Sequence, residues 1–183
     1  MLNRREFLAD APAAPDWGGP VIDIHHHMRV DPAANWDHLT GTGISHAILL
    51  TRGFVATAVP KLQAAHPGRF FWSASADITK PDAEQTLRDA VKAGAIGFGE
   101  IKPRVNADGP ELRRMYALAG DLGVPILVHF QEFEHYANEG NFSVGFKNFA
   151  AMLKAYSSSD TPTRSGPTSR PTIARNAPTR QAR

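Results

Sequence analysis

Short apolar runs alternate with amphipathic segments along most of the chain. The apolar runs predict five strands, at Val21–His27, Ala47–Leu50, Phe70–Ala76, Ala95–Ile101 and Val124–His129. The first run is interpreted as a short buried strand that ends in three histidines. The fifth run is apolar almost throughout, which is typical of a strand that is covered on both faces.

Between and after these runs, the spacing of apolar residues changes to the helical period. The segments with this spacing predict four helices, at Phe54–Ala65, Pro81–Ala93, Pro110–Leu122 and Val144–Tyr156. Two of them have Pro in the first turn and end before a glycine, Gly94 or Gly123. Pro60 weakens the assignment of the first helix, because proline removes an interior hydrogen bond.

Strands that alternate with helices predict a parallel sheet. Each strand and helix together take roughly 25 residues, a rhythm that suits a (β/α)8 barrel of roughly 250 residues in full. The predicted fold class is therefore α/β: an incomplete TIM-type barrel made of about the first five units, over residues 21–156. A flavodoxin-like open sheet is the alternative.

Composition narrows the class of protein. The 183 residues are 42% hydrophobic, which is enough for one globular domain with a core. The net charge of +2 gives no general reason to expect a nucleic acid or an anionic membrane as partner, and no run approaches the 18 apolar residues of a membrane span. The chain has no cysteine, so disulfides and thiolate metal sites are excluded. We expect a small-molecule substrate.

The first 20 residues are interpreted as a leader. Asn3 to Leu8 resembles the charged region of a twin-arginine export signal. The apolar stretch that should follow is replaced by residues 9–16, which contain two acids and two prolines. The expected compartment therefore stays open between the cytoplasm and the periplasm.

Residues 157–183 change character abruptly. They contain ten Ser or Thr, four Pro and five Arg, and predict a disordered basic tail. The arginines would suit a nucleic-acid tether, but lysine and aromatic residues are absent from the tail. With suitable codons, the tail read one base out of register can give an aliphatic strand followed by Gly-His. We therefore hypothesise a frameshift near Tyr156, which would leave an unclosed barrel prone to self-association or aggregation.

Histidines dominate the chemistry that the sequence suggests. Side chains alternate along a strand, so His25 and His27 should share one face and His26 the other. Glu100 and Lys102 end the fourth strand, and His129 ends the fifth. The carboxyl ends of parallel strands meet at one rim, where active sites of such folds form. Imidazoles and a carboxylate at this rim predict a metal site.

Three segments together resemble the amidohydrolase superfamily, most of all its amidohydrolase-related branch of metal-dependent hydrolases and decarboxylases. They are Asp23–His27, Gly97–Pro103 and Pro125–His129. The resemblance runs from about Val21 to Tyr156. It implies a distorted TIM barrel with one or two divalent metal ions, zinc being the expected one.

The resemblance also implies roles for individual residues. His25, His27 and His129 match the metal-binding histidines of the family, Glu100 matches a strand-four carboxylate, and Lys102 is the alternative there. The family's strand-six histidine and strand-eight aspartate have no counterpart in this chain, so its catalytic residues stay unassigned. The implied function is hydrolysis of a small organic substrate by a metal-activated water, impaired in this chain. Decarboxylation and non-catalytic metal binding are the alternatives.

Overall fold

The computed structural model describes residues 16–52 and 57–157. The strands are β1 (Ile22–His27), β2 (His46–Thr51), β3 (Phe70–Ala74), β4 (Gly97–Ile101) and β5 (Ile126–Val128). The helices are α1 (Pro32–Thr42), α2 (Val59–Ala65), α3 (Ala83–Lys92), α4 (Pro110–Leu122) and α5 (Phe149–Ser157), the last preceded by a 3-10 turn at Phe146–Asn148. Most of the predicted leader, the predicted helix start at Phe54 and the tail from residue 158 lie outside the described residues.

All five strands are parallel, and their order in the sheet, β1-β2-β3-β4-β5, is their order in the chain. A doubly wound sheet reverses its strand order at a switch point, so the flavodoxin-like alternative is wrong. The sheet curls into a half-barrel with helices between its strands, which confirms the predicted incomplete α/β barrel. Among the described helices, none is long and apolar enough to cross a membrane.

The core consists of two clusters of buried apolar side chains. The larger cluster packs α3 and α4 against β4 and includes Leu87, Phe98, Leu112 and Met115. The smaller one packs α1 and α2 against β2 and β3; its buried members are Met28, Leu39, Ala47, Leu49, Val59, Leu62 and Phe70. The strands whose carboxyl ends carry the predicted ligands are therefore held in place by packed apolar side chains.

Helix α1 was not predicted. Its ends carry ordinary signals: the Asp31 side chain accepts a hydrogen bond from the Ala33 N–H at 3.0 Å, and Gly43 ends the helix with φ 70°. Its interior carries no comparable signal, because its two buried residues are Asn35 and Leu39 and do not form an apolar stripe. A helix whose buried face is partly polar gives no periodic hydrophobic pattern.

Two strands are less buried than the sequence predicted. Ile22 and Ile24 of β1 are 55% and 61% exposed, so the prediction of a buried first strand was wrong. β5 is shorter than its apolar run, and its three residues are half-buried rather than fully buried. The reason is the same for both, because each has a single strand neighbour among the described residues.

Several helix ends also differ from the prediction. The regular part of α2 begins at Val59 rather than Phe54, and α3 is shorter at both ends. α5 begins at Phe149, five residues later than predicted, after the 3-10 turn. Of the apolar residues in this predicted helix, Met152 is buried, whereas Phe146 and Leu153 are each 49% exposed.

We expect the Asn35→Ala variant to lower the free energy of unfolding by roughly 2 kcal/mol. Asn35 is fully buried, and its amide oxygen accepts hydrogen bonds from the Arg29 N–H and the His26 ring, each at 3.0 Å. Removing the amide leaves buried donors without an acceptor, which costs about 1–3 kcal/mol for each such group. Urea denaturation measures the loss. The control, Asp37→Ala on the exposed side of α1, should change stability by less than about 0.5 kcal/mol. Equal stability of the two variants would contradict the assignment.

Candidate metal centre

β1 places two imidazoles side by side at its carboxyl end. His25 Nε2 lies 3.3 Å from His27 Nε2, and the ring centroids are 5.1 Å apart. The His25 and His27 side chains are 47% and 61% exposed, whereas His26 is 3% exposed on the opposite side of the strand. The prediction that His25 and His27 share one face and His26 the other is confirmed.

β4 brings a buried carboxylate to the same two rings. Glu100 is 5% exposed; its Oε1 lies 3.6 Å from His25 Nε2 and its Oε2 lies 3.6 Å from His27 Nε2. Ser75 donates a hydrogen bond to the Glu100 carbonyl at 2.9 Å, which links the end of β4 to β3. One ligand atom from each of His25, His27 and Glu100 lies within 4.8 Å of the other two, so these side chains could hold one metal ion.

The surroundings of His27 favour its neutral form. Burial of the ring lowers the pKa of His27 below its usual value, and electrostatic interaction with His25, Arg52 and His26 acts in the same direction. The Glu100 carboxylate opposes them without reversing the shift. A neutral imidazole has a free lone pair, which is the form that binds a metal ion.

His129, at the end of β5, contacts Glu100. Its Nδ1 lies 2.6 Å from Glu100 Oε1, and its Nε2 lies 3.0 Å from Gln131 Oε1. Gln131 donates through its Nε2 to Glu139 at 2.9 Å and to the Gly140 carbonyl at 3.3 Å, which fixes the orientation of the amide. The Gln131 oxygen can therefore only accept from His129 Nε2, and His129 Nδ1 faces the Glu100 carboxylate. Metal binding by His129 stays a prediction.

Lys102 points towards a different neighbour. Its Nζ lies 3.6 Å from Glu139 Oε1 and 4.4 Å from the centre of the Phe142 ring. A hydrogen bond from Gln131 is the main reason that the pKa of Glu139 lies below its usual value, and Lys102 contributes. The role of Lys102 as the alternative strand-four ligand stays a prediction.

A cavity of about 240 Å³ adjoins the centre. Its lining residues are His27, Met28, Leu50, Thr51, Arg52 and Glu100. A neighbouring cavity of about 340 Å³ shares Arg52 and includes Lys102. Two cationic side chains therefore border the space beside the His25, His27 and Glu100 group.

Sequence reasoning missed a second cluster on the other side of β1. Asp23 and His26 of β1 meet His38 of α1 there. Burial raises the pKa of Asp23, but the N–H of His25 and the neighbouring rings of His26 and His38 outweigh burial and hold the pKa below its usual value. The sequence does show a further histidine, His38, shortly after the His-rich strand. Its position could not be inferred because α1 was not predicted.

Comparisons with known proteins show only limited similarity. No family model matches the chain, and neither does any curated protein. One similar solved structure is a crystal structure from Staphylococcus aureus, described provisionally as an amidohydrolase, with 16% sequence identity and a TM-score of 0.45. The match covers 75% of this chain and 58% of the other, so the chain spans less than two thirds of that structure.

Proposed function

We propose that the chain holds a divalent metal ion between His25, His27 and Glu100, and that it hydrolyses a small organic substrate at this centre. The observation that carries the proposal is the spacing of the ligand atoms, 3.3 Å between the two imidazole nitrogens and 3.6 Å from each nitrogen to the carboxylate. Tetrahedral ligands about 2.0–2.1 Å from a zinc ion lie about 3.3 Å from one another. The side chains therefore need little movement to bind such an ion.

The kind and number of ligands support zinc and a catalytic role. Two imidazoles and one carboxylate are donors that zinc accepts, and three protein ligands with an open fourth position are typical of catalytic sites. When bound, a divalent ion lowers the pKa of a coordinated water and polarises a carbonyl group. The half-exposed rings of His25 and His27 leave room for water and substrate to approach.

The remaining polar residues have supporting tasks in this proposal. His129 contacts Glu100 through Nδ1 at 2.6 Å and so orients the carboxylate towards the two histidines. Gln131 holds the opposite nitrogen of the His129 ring in place. Arg52, on the wall of the adjoining cavity, favours a substrate with a carboxylate or phosphate group, because a guanidinium binds both in bidentate geometry.

The experiment that tests the proposal uses the full chain freed of metal with a chelator. We expect Zn²⁺ to bind with micromolar affinity or better. We also expect added Zn²⁺ to start hydrolysis of chromogenic esters and amides, with carboxylate-bearing substrates preferred over neutral analogues of the same leaving group. Hydrolysis that does not depend on metal would contradict the proposal. Zinc binding without any turnover would instead favour the non-catalytic alternative.

We expect the Glu100→Gln variant to weaken Zn²⁺ binding at this centre by at least about tenfold. The variant removes the negative charge that both imidazoles face at 3.6 Å, and a neutral amide oxygen is a weaker ligand. The protection of His25 and His27 from diethyl pyrocarbonate, followed by mass spectrometry, gives a dissociation constant specific to the centre. Glu84→Gln, in the first turn of α3, is the matched control and should leave protection unchanged. Equal protection in both variants would exclude Glu100 as a ligand.

A further inference from the structure

Asp23, His26 and His38 form a compact group that the proposed function does not use. Asp23 Oδ2 lies 3.4 Å from His26 Nδ1 and 3.3 Å from His38 Nε2, and the two rings are 4.8 Å apart. His26 is 3% exposed, whereas the side chains of Asp23 and His38 are 22% and 30% exposed. The group therefore joins β1 to α1 at a place that solvent reaches from one side.

The buried amide of Asn35 determines which nitrogen of His26 carries the proton. Asn35 Nδ2 lies 3.1–3.4 Å from three backbone carbonyls, those of Arg29, Asp31 and Pro32. Asn35 Oδ1 accepts from the Arg29 N–H at 3.0 Å, so the orientation of the amide is fixed by its backbone partners. The same oxygen lies 3.0 Å from His26 Nε2 and can only accept there. His26 Nε2 therefore carries a proton.

It follows that a neutral His26 has its lone pair on Nδ1, the atom that faces Asp23. A lone pair and a carboxylate oxygen 3.4 Å apart repel each other, and burial of His26 strengthens the repulsion. A positive charge between the two atoms, either a proton or a metal ion, removes it. His38 Nε2 approaches the same carboxylate oxygen, so one cation there would have three ligand atoms around it.

The distances favour a metal ion over a proton. Charge-assisted hydrogen bonds between a ring N–H and a carboxylate are usually about 2.7–2.9 Å long, and both contacts to Asp23 Oδ2 are longer, at 3.4 and 3.3 Å. Those lengths are close to the roughly 3.3 Å between neighbouring ligands of a tetrahedral zinc ion. The other Asp23 oxygen accepts from the His25 N–H at 2.9 Å, which leaves Oδ2 directed at the rings.

From this geometry we infer that Asp23, His26 and His38 form a second divalent metal site, separate from the centre at His25, His27 and Glu100. The ligand atoms are Asp23 Oδ2, His26 Nδ1 and His38 Nε2, a nitrogen-rich set suited to Zn²⁺ and similar ions. The two sites lie on opposite sides of β1. His26 points away from His25 and His27 because consecutive side chains of a strand alternate, and Asp23 lies beside His26 where the pairing of β1 shifts register between these two residues. An ion at the second site ties β1 to α1 and so stabilises the strand that carries His25 and His27.

The test is a Zn²⁺ titration of the metal-free full chain, followed by ring ¹H–¹⁵N NMR of the histidines and by elemental analysis after dialysis. We expect two zinc ions per chain. The resonances of His26 Nδ1 and His38 Nε2 should move to metal-bound values while His26 Nε2 keeps its proton. If His26 and His38 do not respond at saturating zinc, the cluster is a hydrogen-bond network only and the inference is wrong.

Variants separate the two sites. The His38→Gln variant should bind one zinc ion fewer and leave the His25 and His27 resonances responsive. The chain with His25→Ala and His27→Ala should still bind one ion at the second site, so failure of the proposed function would be distinguishable from failure of this inference. His135→Gln, whose ring belongs to neither cluster, is the control and should bind two ions. If His38→Gln does not fold by circular dichroism, Asp23→Asn and the wild-type NMR titration still decide the question.

Discussion

Replacing His25 and His27 together with alanine is expected to weaken Zn²⁺ binding at the centre with Glu100 by at least about a thousandfold, which corresponds to about 4 kcal/mol. The double variant removes two of the three ligand atoms that lie within 4.8 Å of one another. Zinc-dependent hydrolysis should disappear with the metal. The fold should survive, because both side chains are half-exposed and substitutions at such positions usually change stability by less than about 0.5 kcal/mol.

Elemental analysis after equilibrium dialysis measures the loss, and circular dichroism checks the fold. The matched control replaces two other histidines, His46 and His135, with glutamine and should keep the full zinc content. If the double variant binds as much zinc as the control, His25 and His27 are not ligands and the proposed function has no metal centre to act through.

The elements that the sequence predicted correctly are those whose apolar residues recur with a clear strand or helix period. The five strands and their parallel order follow from apolar runs separated by helices such as Pro110–Leu122, whose bounds agree with the structure. The shared face of His25 and His27 follows from the alternation of side chains along a strand. The closeness of Glu100 to them follows from the rule that the carboxyl ends of parallel strands meet.

What the sequence could not predict depends on contacts between elements. α1 was missed because a polar residue, Asn35, occupies one of its two buried positions, and the second cluster was missed with it because His38 lies on that helix. The exposure of Ile22 and Ile24 depends on β1 having one strand neighbour among the described residues. The contact of His129 with Glu100 rather than with the two other histidines depends on side-chain geometry that no spacing reveals.

Strand irregularities lie beside the ligand residues. The pairing of β1 with β2 shifts register between Asp23 and His26, and the pairing of β4 with β5 shifts between Phe98 and Ile101. Such shifts turn side chains away from the directions of a regular strand, and they are frequent next to active sites. His25 and Glu100 lie inside these two intervals. The spacing of the ligand atoms in the proposed centre therefore also depends on local departures from regular pairing, which a hydrophobic pattern does not encode.

Gly99 tests this dependence, and we expect the Gly99→Ala variant to lower the free energy of unfolding by about 3 kcal/mol or more. Gly99 has φ +140°, which L side chains rarely adopt, and an added Cβ would lie 2.8 Å from Leu127 Cβ and 2.9 Å from the Leu127 carbonyl oxygen. Backbone strain and overpacking each cost roughly 1–3 kcal/mol. Because part of the clash is with backbone, β4 and β5 must separate, which displaces Glu100 from His25 and His27.

Two measurements on the Gly99→Ala variant separate strain from a general loss of stability. Urea denaturation gives the free energy, and a Zn²⁺ titration under conditions where the variant is folded gives the affinity of the centre, which we expect to fall by at least about tenfold. Gly120→Ala in α4 is the control. Apart from its chain neighbours and the backbone of its own helix, nothing lies within 4 Å of the added Cβ, and alanine favours a helix by about 0.5–1 kcal/mol over glycine. A Gly99→Ala chain as stable as the Gly120→Ala chain, with unchanged zinc affinity, would show that the end of β4 does not need its close approach to Leu127.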